Sequence, residues 1–204
     1  MKTVIQVKLT PTAEQAQALR ATLDAVNAAA CWVSAGAFTH RVFTEQGLRQ
    51  LSYAALKARG LGAQAAQHVI KKVVDAYTSL HANIRAGNLG PVGSARRVQA
   101  EGKPITFRAD AAQPFDDRCL SWQHEHRQVS IWTVCGRVKD IAFTGHREQL
   151  QVLAAQRQGE SDLVCGDGQW YLVATCDITE PETVEPAGWL GVDLGIVNIA
   201  TTSD

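Results

Sequence analysis

From Thr3 to Leu9 the chain reads TVIQVKL, with apolar and polar residues alternating and several of them β-branched. Period two is the pattern of a half-buried strand, so a strand is predicted at the start. PTAEQ follows. Thr12 can cap a helix, and Gln15 stands three residues on, the spacing of a capping box. Leu19, Leu23, Val26, Ala30, Val33 and Ala37 then recur at steps of four and three, which predicts one continuous stripe on a helix over about 13–38. A short helix over about 48–58 ends at Gly60. A longer one over about 62–85 buries Ala66, Val69, Val73, Tyr77, Leu80 and Ile84, leaving Lys71, Lys72 and Arg85 for its open faces. Gly87 and Gly90-Pro91 stop it.

Residues 87–104 hold four glycines, two prolines, Arg96, Arg97 and Lys103 with little apolar content, and read as a basic loop. Beyond them the period changes to two. ITFRA, CLSWQHEHRQVSIWTV and GRVKDIAF are predicted strands, and SDLVCGDGQWYLVATCDI is a predicted hairpin turning at Gly166-Asp167-Gly168. HREQLQVLAAQRQG, residues 146–159, has room for a helical turn or short helix between strands. TEPETVEPA, residues 179–187, is an acidic, proline-bearing linker, and GWLGVDLGIVNIATTSD, residues 188–204, reads as a strand pair with one carboxylate, Asp193, on its first strand.

Composition adds limits. The 204 residues are 46% hydrophobic and 20% charged, ordinary for a soluble globular protein with a real core. No apolar run of membrane-spanning length and no basic-plus-apolar leader is seen, so no membrane partner and a cytoplasmic location are expected. The five cysteines, Cys31, Cys119, Cys135, Cys165 and Cys176, include no C-x-x-C pair and read as small buried thiols.

The net charge of zero hides an asymmetry. Residues 1–110 carry 14 Lys+Arg against 6 Asp+Glu, and residues 111–204 carry the reverse, 6 against 14. Lys57, Arg59, Lys71, Lys72, Arg85, Arg96, Arg97, Lys103 and Arg108 are therefore candidate phosphate contacts. The plainer reading is a solvated basic face, or two lobes that neutralise each other. Trp122, Trp132 and Trp170 could stack on bases, but their alternating setting favours the core of a β module. His124 and His126, two apart on a predicted strand, could join Cys119 or Cys135 around a metal; without a paired ligand motif, surface or core histidines are the better reading.

Asp193 carries the sharpest question. An acid in an apolar strand is costly unless it is exposed, hydrogen-bonded or metal-bound. A solvent-facing or turn-capping role stands beside a functional one. Actin-like and chaperone-type ATPases use such a strand to open a phosphate loop, but they place small hydroxyl residues where Ile196 and Val197 stand here. RNase H-like nucleases use it to hold a metal.

Taken in order, KLTPTAEQAQAL, the long helix with Cys31-Trp32, HVIKKVVDAYTSL, GRVKDIAFTGH, GQWYLVATCDI and GVDLGIVNIATTSD resemble the TnpB family of insertion-sequence proteins. These are also called OrfB transposases and are relatives of compact type V CRISPR effectors. The resemblance runs over the whole chain, strongest at residues 8–19 and 169–204. It implies an α+β protein: a wedge-type β-barrel of residues 1–11 and 105–178, a helical recognition insertion of residues 12–86, the basic loop 87–104, the linker 179–187, and residues 188–204 as the first strand pair of an incomplete RNase H-like (RuvC) domain. It also implies guide RNA and target DNA as partners, and Asp193 as the first catalytic, metal-binding acid. Mg²⁺ would act only in a complete nuclease, because one carboxylate cannot hold two ions. The family's other acids and its zinc element would lie downstream of residue 204, and no cofactor is expected to bind this chain tightly. An RNA- or DNA-binding module without nuclease activity, or a remnant of a transposase gene, are the alternatives.

Overall fold

In a computed structural model, which describes residues 1–180, Gly188, Val192–Asp193 and Thr201–Thr202, the opening alternation is a strand, β1 (Lys2–Thr10). Ile5, Val7 and Leu9 are buried and the residues between them are not. β1 lies in the middle of a seven-stranded, wholly antiparallel sheet. The other strands are β2 (Gln113–Phe115), β3 (Leu120–Gln123), β4 (Gln128–Thr133), β5 (Gly136–Thr144), β6 (Arg157–Gly166) and β7 (Gln169–Asp177). Their order is β2-β6-β7-β1-β5-β4-β3. The two edge strands are consecutive in sequence, joined only by residues 116–119, so the sheet curls into a nearly closed barrel. β1 pairs with β7 from Lys2↔Asp177 to Leu9↔Trp170 and with β5 through Leu9↔Phe143, although the helices intervene in sequence. The strand thus belongs to the β module despite a separation of more than a hundred residues.

Between β1 and β2 run α1 (Ala13–His40), α2 (Glu45–Ala58), α3 (Ala63–Arg85) and α4 (Ala95–Glu101). The capping box is present in full: Gln15 N–H donates to Thr12 Oγ1 at 3.3 Å, and Thr12 N–H donates to Gln15 Oε1 at 2.8 Å. α2 begins earlier than its apolar pattern predicts because Thr44 caps it, accepting from Gly47 N–H. α5 (Arg147–Gln156) is the short helix between strands. The β6–β7 turn has Asp167 and Gly168 at φ 49° and 73°, both left-handed, as a two-residue hairpin requires.

Two cores result. One fills the barrel with Ile5, Val7, Leu9, Phe115, Ile131, Phe143, Leu172 and others, closed by Leu153 of α5. The second joins α1, α2 and α3 through Val33, Leu48, Val69 and Tyr77. The α1 stripe is divided between them. Leu19 and Leu23 pack in the barrel, and Val26 onward pack on the helices. One rigid helix therefore spans both modules.

Three expectations are corrected. ITFRA forms no strand. Ile105 and Phe107 do alternate, but they face the helices, and side chains take over the backbone bonding: Tyr77 Oη accepts from Ile105 N–H at 3.4 Å and Cys31 Sγ accepts from Phe107 N–H at 3.2 Å. The barrel strands thus begin at Gln113, and residues 105–112 are a strap across α1 and α3. The basic loop contains α4, a run of good helix formers closed by an Arg97–Glu101 pair one turn apart. His124 and His126 lie in the β3–β4 turn, not on a strand.

Within residues 188–204, β8 (Val192–Asp193) pairs antiparallel with β9 (Thr201–Thr202), Asp193 opposite Thr201. The rest of that segment and linker residues 181–187 lie outside the described residues.

Candidate nucleic-acid interface

Eight of the nine candidate cations fall into two groups, and Lys72 stands apart. Lys71 pairs with Asp75 at 2.9 Å, Arg97 with Glu101 at 3.1 Å and Arg108 with Asp110 at 3.5 Å. Each of these is locally neutralised. Lys57 and Arg59 at the end of α2, Arg85 in the last turn of α3, Arg96 on α4 and Lys103 just after it are exposed and have no ion-pair partner among the described residues. The exposed Arg59 guanidinium also lies over the partly exposed Trp32 ring at 4.4 Å.

Lys72 is different. Its ammonium donates to Asn27 Oδ1 at 2.6 Å and to the Ala112 carbonyl at 2.7 Å, and sits over Phe107 at 5.4 Å. Asn27, wholly buried, donates in turn to the carbonyls of Ala109 and Ala111. Lys72 is thus the clamp of the strap, and it presents little charge to a partner. Burial pulls its pKa down to about 8, opposed by the Asp162 carboxylate. The same burial raises Asp162, with Glu160 adding to the shift.

Among the described residues the two oppositely charged halves are not joined by Lys or Arg ion pairs. Among the described residues, no Lys or Arg of residues 1–110 pairs with an acid of residues 111–180; only the Met1 ammonium and His68 reach across. His68, buried at the seam, has Nε2 3.8 Å from Asp116 and 3.7 Å from Glu160, a contact that is ionic only with the ring protonated. The unpaired cations on α2, α3 and α4 are therefore available to an external polyanion.

The three candidate tryptophans pack on the barrel core. Trp170 is buried, and Trp122 and Trp132 pack against the same core. His124 stacks on Trp122, interplanar angle 3°, and burial there lowers its pKa, with Arg157 adding to the shift. All five cysteines are free thiols; Cys135 is exposed and Cys31 half-buried, so only Cys119, Cys165 and Cys176 are the buried ones expected. Burial raises the Cys119 pKa to about 11, with Asp116 adding to it.

One feature was invisible in the sequence pattern. The end of α1, the α1–α2 connection, α3 and α4 enclose a cleft of about 270 Å³ walled by Phe38, Phe43, Tyr77 and His81 and edged by Arg41 and Lys103. Tyr77 and His81 stand one turn apart on α3, but Phe38 comes from α1 and Phe43 from the α1–α2 connection, so no single helical period marks the four as a group. The sequence signal was HRVFT at the end of α1, where a basic residue and an aromatic interrupt the stripe.

Asp193 lies on a strand, as its motif predicts. Among the described residues no three His, Cys, Asp or Glu side chains form a metal-binding group. A two-ion centre needs several carboxylate oxygens, which the chain's one motif acid does not supply. Among the described residues no helix is long and apolar enough to cross a membrane. No protein-family model matches the chain, and no curated protein matches it significantly.

Proposed function

We propose that the chain is the nucleic-acid-binding part of a TnpB-like, RNA-guided DNA endonuclease. The helical insertion holds a guide RNA, and the DNA paired with it, through phosphates. The barrel is the platform on which the insertion is mounted. Asp193 contributes one carboxylate to a nuclease centre that needs others to bind metal and cut. The observation that carries this reading is the set of exposed cations on α2, α3 and α4 that have no ion-pair partner among the described residues. Phosphate contacts of this kind position a polyanion without reading its sequence.

The test is a titration of a labelled hairpin RNA of guide type against wild type, Arg96→Ala and Arg97→Ala. Arg96 is unpaired and Arg97 is held by Glu101, so Arg96→Ala should weaken binding more. The loss should be the same for RNAs of unrelated sequence. Equal affinity of all three chains would remove α4 from the RNA surface.

A further inference from the structure

The cleft between α1, α3 and α4 has walls unlike those of an ordinary surface groove. Phe43 meets His81 edge-on at 5.1 Å and leans on Tyr77 at 4.7 Å. The Arg41 guanidinium lies on the Phe38 ring at 4.6 Å. Arg41 is the residue after α1, at φ 54°, a left-handed conformation that favours glycine. Lys103 stands at the rim. The acid in the lining, Glu101, is already taken by Arg97 at 3.1 Å. Tyr77 is buried behind Phe43, so what the cleft offers is the exposed His81 ring and the exposed Arg41 guanidinium, backed by the half-buried Phe38 and Phe43 rings, with its one carboxylate already paired.

We infer that this cleft binds an unpaired nucleotide: a base inserts against the aromatic and guanidinium faces while its phosphates meet Arg41 and Lys103. The inference rests on the RNA-binding role proposed above and adds a separate site to it. Stacking suits any base, since every base has a π face, and Arg adds a cation–π contribution. A duplex cannot use the cleft, because its bases are already stacked on each other. The unpaired cations Arg85 and Arg96 lie on the same two elements, α3 and α4, so a duplex held there can deliver a single-stranded extension to the cleft.

Two probes separate this site from general phosphate binding: a blunt RNA hairpin, and the same hairpin with a short unpaired adenosine tail carrying 2-aminopurine. Wild type should bind the tailed RNA about tenfold more tightly, with a change in 2-aminopurine fluorescence. Arg41→Gly removes the guanidinium while suiting the left-handed backbone, and His81→Ala changes an exposed side chain. Each should lose most of the gain from the tail, keep its thermal midpoint, and bind the blunt hairpin within about twofold of wild type, an effect far below the tenfold sought. A tail that adds nothing in wild type, or a gain that survives in both variants, overturns the cleft as a nucleotide site and leaves the phosphate-binding role standing. A wild-type chain that binds neither RNA overturns both.

Discussion

Lys72 Nζ lies 2.6 Å from Asn27 Oδ1, tying α3 to α1 beneath the strap that leads into the barrel. The pair turns a cation on the basic face into an internal fastening. Replacing Lys72 with Met leaves a buried amide oxygen and the Ala112 carbonyl without their donor, which costs about 1–3 kcal/mol. Urea unfolding should show that loss while hairpin RNA affinity barely moves. Unchanged stability with weakened RNA binding would put Lys72 back on the RNA surface.

The same residue gives a pH signature. Its folded pKa of about 8 is below the ordinary 10.5, so between those values the unfolded chain binds more protons. Unfolding free energy from this group therefore rises with pH across that window. Cys119 acts in the opposite sense: its pKa is raised from 9.0 to about 11, so its contribution falls as pH climbs between those values. From pH 8 to 9 the Lys72 effect should dominate the difference between wild type and Lys72→Met. The gap in stability should widen there, and a gap that narrows would contradict the assigned burial.

α1 should make the two modules unfold together. Leu23 is fully buried in the barrel core, and Val26, one turn on, is buried in the helical core. Leu23→Ala should cost about 2–5 kcal/mol. Tryptophan fluorescence, to which Trp122, Trp132 and Trp170 of the barrel contribute beside Trp32 of α1, and far-ultraviolet circular dichroism, which reports the helices, should shift to the same lower midpoint. Helical signal that outlives the tryptophan transition would show separable modules.

The strands and helices that announce themselves do so because burial imposes a period on them: β1, α1, α3 and the β6–β7 hairpin are all legible that way. A period says that one face is buried, and not against what. Ile105 and Phe107 alternate like a strand but lie on helices, their backbone bonded by Tyr77 and Cys31. The α1 stripe is continuous in sequence yet serves two cores. Lys72 looked free because its partners, Asn27 and Ala112, are 45 and 40 residues away. The cleft was illegible for the same reason, being assembled from four places in the chain. Asp193 stood out because an acid among apolar strand residues is rare on energetic grounds, and that reasoning reaches the strand without reaching the rest of a site.

The α1 cap offers a local control. Thr12 Oγ1 accepts from Gln15 N–H, and the Gln15 side chain also donates to the Lys139 carbonyl of β5 at 3.0 Å. Thr12→Ala should cost about 1 kcal/mol in urea unfolding. RNA binding should be unaffected, since Thr12 is not among the proposed phosphate contacts Lys57, Arg59, Arg85, Arg96 and Lys103.

The central claim is that the helical insertion grips RNA through phosphates, and the salt dependence of that grip tests it most directly. If Lys57, Arg59, Arg85, Arg96 and Lys103 all meet phosphates, log Kd for a guide-type hairpin should rise with log salt concentration with a slope of roughly 4. A fourfold increase in salt would then weaken binding on the order of a hundredfold or more. A slope near zero, or no binding at low salt, would contradict the account and leave the charge asymmetry of the chain without an external partner.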